Sequence, residues 1–190
     1  MANKKLKVCT TIVPPSMKEV TRLFAGVELI ASRPGGCDLI VLPGMFLGDQ
    51  PAALFAAARR AGVAVLAGVG EGVLGWAPGS AKVREFHSGV NEMRVGSHRI
   101  APIIGREIFV PEVCEGVAKL KPRVAVLVAV SAGGARHWAG QQKLARMGVA
   151  SVRSVHANEG ARDFLYRPTG EEPPSRVSQL SGITVSCFTV

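Results

Sequence analysis

Three short apolar runs that do not alternate constrain this chain most. Beyond their first residues, Asp38–Leu42, Val63–Ala67 and Arg123–Val130 carry apolar side chains at successive positions, and the last is rich in β-branched residues. A strand with one face in water alternates. A strand that does not is buried on both faces, which implies a sheet covered by helices and joined through crossover connections.

The intervening segments supply those helices. Met17–Ala31, with Ser16 as N-cap, spaces Val20, Leu23, Phe24, Val27, Ile30 and Ala31 by threes and fours and stops at Arg33-Pro34-Gly35-Gly36. Ala52–Ala61 is an alanine-rich helix closed by Gly62, Pro111–Leu120 is a helix entered through proline, and His137–Met147 is a further one. Lys5–Val13 alternates and is stopped by Pro14-Pro15, so the first seventy residues predict β-α-β-α-β. Strands are also expected at Ile100–Ile104, Ser151–His156, Asp163–Arg167 and Ile183–Val190. The glycine-rich Gly68–Gly96 reads as irregular apart from an exposed strand over Lys82–His87, and Glu171–Ser175 reads as a polar loop. No internal repeat is visible, and residues 1–190 are read as a single domain.

With 190 residues, 47% of them hydrophobic, the chain can bury about 70% of its unfolded surface. Its longest apolar run, Val124–Val130, is far short of the roughly 18 residues that cross a bilayer. The opening Met-Ala-Asn-Lys-Lys is not followed by a signal-peptide core, so a cytoplasmic protein with no membrane partner is expected. Cys9, Cys37, Cys114 and Cys187 lie far apart, without a CxxC pair or a histidine at ligand spacing. They read as buried thiols, with no metal site, no disulfide framework and no cofactor. The net charge of +9 is compatible with nucleic acid, but the basic residues sit in short scattered clusters and aromatics make up only 5%. Solvated surface charge is the favoured reading.

Gly70-Glu71-Gly72-Val73-Leu74-Gly75 matches a dinucleotide-binding fingerprint directly after a strand. That fingerprint needs a helix beginning inside it to receive the pyrophosphate, whereas Trp76-Ala77-Pro78-Gly79 continues as loop, so the reading is set aside.

Three further segments, taken in order, carry a resemblance. Cys37-Asp38-Leu39-Ile40-Val41-Leu42-Pro43-Gly44 is a strand ending in Leu-Pro-Gly, and Ile103-Ile104-Gly105-Arg106-Glu107-Ile108-Phe109-Val110-Pro111-Glu112 is an apolar strand followed by a turn. The third runs from Arg123 to Trp138, on through Leu144-Ala145-Arg146 and Val155–Gly160, before the turn at Tyr166–Glu171. Together they resemble the nitrilase, or carbon-nitrogen hydrolase, superfamily. The first is similar to that family's Leu-Pro-Glu base, the second to its Cys-x-Asp-x-x-Phe-Pro-Glu nucleophile elbow.

The resemblance implies an α/β fold, a four-layer α-β-β-α sandwich that pairs into a homodimer. It also implies a Glu-Lys-Cys triad in which thiolate attacks a nitrile or amide carbon. Here the glutamate position is Gly44 and the cysteine position is Gly105, while Lys82 in Lys82-Val83-Arg84-Glu85-Phe86 is the loosely matching lysine. Gly105 follows Gly44 by only 61 positions, so the walls of the pocket are expected to be trimmed. The expected protein is a truncated, catalytically degenerate member, a binding or scaffolding subunit without catalytic residues. Glu107, Glu112, Cys114 and Trp138 are candidate pocket residues for a small-molecule ligand. Two alternatives stand beside it: an active amide or nitrile hydrolase with a non-standard nucleophile such as Cys114, and a basic nucleic-acid-associated protein.

Overall fold

A computed structural model describes residues 5–14, 32, 36–44, 51–69, 71–129, 135–156, 163–180 and 182–190. In chain order the elements are β1 (Lys7–Val13), β2 (Leu39–Leu42), α1 (Pro51–Ala61), β3 (Ala64–Val69), β4 (Gly72–Trp76), β5 (Arg84–Phe86), β6 (Met93–Val95) and β7 (His98–Ile104). A 3-10 turn (Gly105–Phe109) leads to α2 (Pro111–Leu120), β8 (Val124–Val128), α3 (Ala135–Arg146) and β9 (Ser151–His156). The chain closes with β10 (Leu165–Arg167), β11 (Gly170–Glu172), β12 (Arg176–Leu180) and β13 (Ile183–Thr189). The helix expected at Met17–Ala31 and the Asn158–Gly160 strand end lie outside the described residues.

The non-alternating runs become the interior parallel strands β2, β3 and β8, with every residue of β2 and β8 buried. Hydrogen bonds link the described strands along the path β5-β4-β3-β2-β1-β9-β8-β7-β6, with β13 and β12 added through β1, and β10 and β11 through β9. This curled sheet has two halves that face one another. Val8, Leu39, Val41 and Leu66 from one half pack with Ile100, Val124, Val126 and Val152 from the other. On the outer face of the first half, Leu54, Phe55 and Ala58 of α1 cover Ile40, Leu42 and Val65. On the second, Val113 and Val117 of α2 and Leu144 of α3 cover Ala101, Ile103 and Leu127. The layers are therefore α-β-β-α, and each fully buried aliphatic or aromatic side chain contributes about 1.5–3 kcal/mol.

β1 joins the halves. One of its edges pairs with β13 from Lys7 to Ile12; the other pairs with β2 over Val8–Thr10 and then with β9 at Ile12 and Val13. Where that edge parts, side chains replace the ladder. The Thr11 hydroxyl donates to the Val41 carbonyl at 2.8 Å, and Ser154 Oγ donates to the Thr11 carbonyl at 2.6 Å. Beside them the buried Asp163 carboxylate accepts from the Thr10 hydroxyl at 2.9 Å and from Arg153 Nε at 3.1 Å.

The middle of the chain is more regular than its glycine content suggests. β5 forms inside the strand expected over Lys82–His87, with β4 before it and β6 after it in the chain; β11 takes the first residues of the segment read as a polar loop, and β12 forms just after it. β4, β6, β11 and β12 are short or at an edge, so neither alternation nor an apolar run marks them. Val69 pairs with Gly72 in an antiparallel hairpin, which places a strand where a dinucleotide site would need a helix.

Gly68 stands where β3 crosses the end of β2. A Cβ there would lie 2.1 Å from Gly44 Cα and 2.8 Å from the Pro43 carbonyl oxygen, so only glycine allows this approach. Gly68→Ala is expected to lower stability by about 1–3 kcal/mol, read as a reduced denaturant midpoint. An unchanged midpoint would mean that β2 and β3 can separate freely here.

Asp163 gives the fold a pH dependence. Burial pushes its carboxyl from the ordinary 3.8 up to about 6, against the opposing pull of Arg153 and the Thr10 hydroxyl. The folded chain then binds a proton more readily than the unfolded chain across that interval. Its contribution is full below pH 3.8 and is lost as the pH rises to about 6. Denaturant melts across this window should show stability falling with pH, and Asp163→Asn should remove that component of the slope.

Candidate functional site

Parallel sheets gather functional groups at the C-terminal ends of their strands, and here the ends of β2, β7, β8 and β9 meet. Gly44 follows β2, and its N–H donates to the carbonyl of Ala129, just past β8, at 2.9 Å. β7 pairs with β8 through Ile104 and Val128, which sets Gly105 beside Ala129. Two strand spacings then place Gly44 and Gly105 within about 10 Å of one another. Gly105 opens the 3-10 turn with a φ of +44°, and a Cβ built on it meets nothing within 4 Å.

The structure does not bring Lys82 to them. Phe86 pairs with Val73, which pairs with Gly68 beside Gly44, but Arg84 pairs with Gly75 farther along β4. Lys82 is exposed in a bend before β5, and β5 runs from it towards the Gly44 end of the sheet. The sequence match depended on local spacing, whereas the direction of β5 comes from its pairing with β4.

Cys114 is fully buried in α2, and its thiol donates to the Ile108 carbonyl at 3.2 Å. Burial pushes that thiol up, away from the thiolate form a nucleophile needs. Glu107 Oε1 accepts the Gly89 N–H at 2.7 Å, fastening the loop after β5 to the 3-10 turn. Its Oε2 is buried without a hydrogen-bond partner among the described residues. Glu112 is exposed in the first turn of α2, where a helix N-terminus favours a carboxylate. Trp138 is 41% exposed, and its indole N–H donates to Glu171 Oε1 at 2.7 Å, tying α3 to the β10–β11 hairpin.

His156 is the residue that sequence reasoning passed over at this site. At the end of β9 its Nε2 lies 3.0 Å from the Gly44 carbonyl oxygen, so an imidazole touches the backbone at the position matched to the glutamate. No motif spacing marks it in the sequence; its place at the C-terminal end of a parallel strand does. His137 is buried and stacks on Phe109 with centroids 5.6 Å apart, holding the start of α3 against the 3-10 turn.

A separate cleft of about 360 Å³ is lined by Gly75, Trp76, Ser80, Arg84, Glu92 and Arg94, towards the end of β4 away from Gly44. Among the described residues, no group of three or more His, Cys, Asp or Glu side chains is placed to hold a metal ion. No described helix is long and apolar enough to cross a membrane.

No protein-family model and no curated protein matches the sequence. Solved structures do match. An amidase of Nesterenkonia sp. AN1, in a cysteine-to-alanine mutant complexed with butyramide, aligns with a TM-score of 0.71 at 14% identity over 96% of this chain and 90% of that one. A second mutant of the same amidase, carrying the acetamide moiety of fluoroacetamide on its active-site cysteine, aligns at 0.68 and 15% over the same shares. A CN-hydrolase superfamily protein of Xanthomonas campestris, with an arsenic adduct in its active site, aligns at 0.68 and 16% over 98% of this chain and 91% of that one. This chain therefore has the α/β fold of these nitrilase-superfamily structures.

Proposed function

We propose that this nitrilase-fold protein is not a hydrolase but a non-catalytic binding or scaffolding subunit that works as a pair of identical chains. The observation that carries the reading is the presence of glycine at both Gly44 and Gly105, close together at one end of the sheet. Amide or nitrile cleavage by the route the resemblance implies needs a base to take the thiol proton and a sulfur to form the covalent intermediate. Glycine supplies neither. Removing the atom that bonds to substrate abolishes that route rather than slowing it. The burial of Cys114 and the remoteness of Lys82 support the same reading.

Pairing is supported by Val90, Phe109, Val110 and Trp138, each between 40% and 44% exposed. All four lie on or beside α2 and α3: Val90 abuts Gly116 in the middle of α2, Phe109 and Val110 lead into α2 with Phe109 stacked on His137, and Trp138 is in α3. Apolar surface of this kind gains stability when a second copy covers it.

Ammonia release from butyramide and acrylamide is expected to stay at the blank level with the purified protein. Turnover that disappears in Cys114→Ser would overturn the proposal. Gly105→Cys should fold and be alkylated by iodoacetamide in the native state, because the added side chain enters open space. The positive φ should cost it about 1–2 kcal/mol, and it should still release no ammonia. Sedimentation equilibrium is expected to give a dimer, with Phe109→Glu shifting it to monomer; a monomeric wild-type chain would remove the pairing from the proposal.

A further inference from the structure

Three of the four cysteines, distant in sequence, come together on the helix-facing side of the first half-sheet. Cys9 is fully buried on β1, while Cys37, just before β2, and Cys187, on β13, are half-buried in the same apolar cluster. Cys9 shares thiol hydrogen bonds with both of the others.

The register makes one pair distinct. β1 and β13 are antiparallel, and Cys9 lies directly opposite Cys187. Farther along the same ladder Leu6 and Val190 exchange both backbone hydrogen bonds, at 3.0 and 2.8 Å. Hydrogen-bonded and non-hydrogen-bonded pairs alternate along an antiparallel ladder, so Lys7 with Thr189 is non-bonded, Val8 with Phe188 bonded, and Cys9 with Cys187 non-bonded. In a non-bonded pair the Cα atoms are about 4.5 Å apart with side chains close, within the span a disulfide bridges. Cys37 is held differently, its thiol donating to the Leu39 carbonyl at 2.9 Å.

Cys187 is the partly exposed member of the pair. A small cleft of about 20 Å³ is lined by Cys9, Cys187, Arg176, Ser178 and Gly36. Arg176 is the cross-strand neighbour of Cys187 on β12, so Arg176, Cys187 and Cys9 form one row across three strands.

We propose that Cys9 and Cys187 are a modification site, a cross-strand dithiol that small-molecule disulfides convert reversibly to a disulfide. In the first step the Cys187 thiolate attacks one sulfur of the small disulfide, forming a mixed disulfide and expelling one small thiolate. Cys9 then gives up its proton and attacks the Cys187 sulfur, forming the protein disulfide and expelling the second small thiolate. Two protein thiols are oxidised and one small disulfide is reduced to two thiols, so no other oxidant is needed. For Cys9, the Cys187 hydrogen bond pulls the thiol down, but the Cys37 hydrogen bond and burial push it up further, leaving it above the usual thiol range. Closure should therefore accelerate as the pH rises above neutral.

The test is to treat the reduced, native full-length chain with 2-hydroxyethyl disulfide, quench with acid and map disulfide-linked peptides by mass spectrometry. The expected product has lost two hydrogens and links the Cys9 and Cys187 peptides. The link should persist in Cys37→Ser and be lost in Cys187→Ser, while Cys9→Ser should retain an unresolved mixed disulfide on Cys187. A wild-type chain that forms only mixed disulfides, that links Cys9 to Cys37, or that forms the Cys9–Cys187 link only in urea would overturn the proposal. The wild-type map decides between these outcomes even if a serine variant fails to fold.

Discussion

The architecture depends on how β1 divides one of its edges. A single strand that hydrogen-bonds to β2 and then to β9 holds two half-sheets in one ladder, but the backbone bonds are interrupted where the halves part. Unpaired backbone groups at such depth are costly. The Thr11 and Ser154 hydroxyls occupy that gap and bond to the Val41 and Thr11 carbonyls. Aliphatic residues there would pack as well and leave those carbonyls unanswered. Asp163, Thr10 and Arg153 extend the same polar seam.

The seam also positions the candidate site. Because β2 and β9 both take their alignment from β1, their ends arrive together, and His156 reaches the Gly44 carbonyl. The Gly44 N–H bond to Ala129 then ties this end of β2 to β8 in the opposite half. At this end of the sheet Gly44 makes backbone contacts and is closely approached by Gly68, while Gly105 faces open space.

How much of this could be read beforehand varied with the range of the interaction. Pro111–Leu120 was legible to its last residue because proline entry and helical periodicity are local. The buried strands β2, β3 and β8 were legible because burial on both faces leaves an apolar run. β6, β11 and β12 carry no comparable mark, since a short or edge strand owes its conformation to the neighbour it pairs with. Lys82 illustrates the same limit: its motif spacing is local, but the end of the sheet it occupies follows from the β4–β5 register. His156, silent as a lone histidine, acquires a partner only when β9 lies beside β1.

By itself, the sequence determined the class of fold and placed glycine at positions 44 and 105. Non-alternating apolar runs between amphipathic helices read as covered strands, and glycine carries neither a carboxylate nor a thiol whatever surrounds it. Tertiary structure alone decided what meets what: Gly44 with Ala129 and His156, Trp138 with Glu171, and Cys9 opposite Cys187. Those contacts join residues up to 178 positions apart. They follow from strand order and register, properties of the whole sheet that no short stretch of sequence contains.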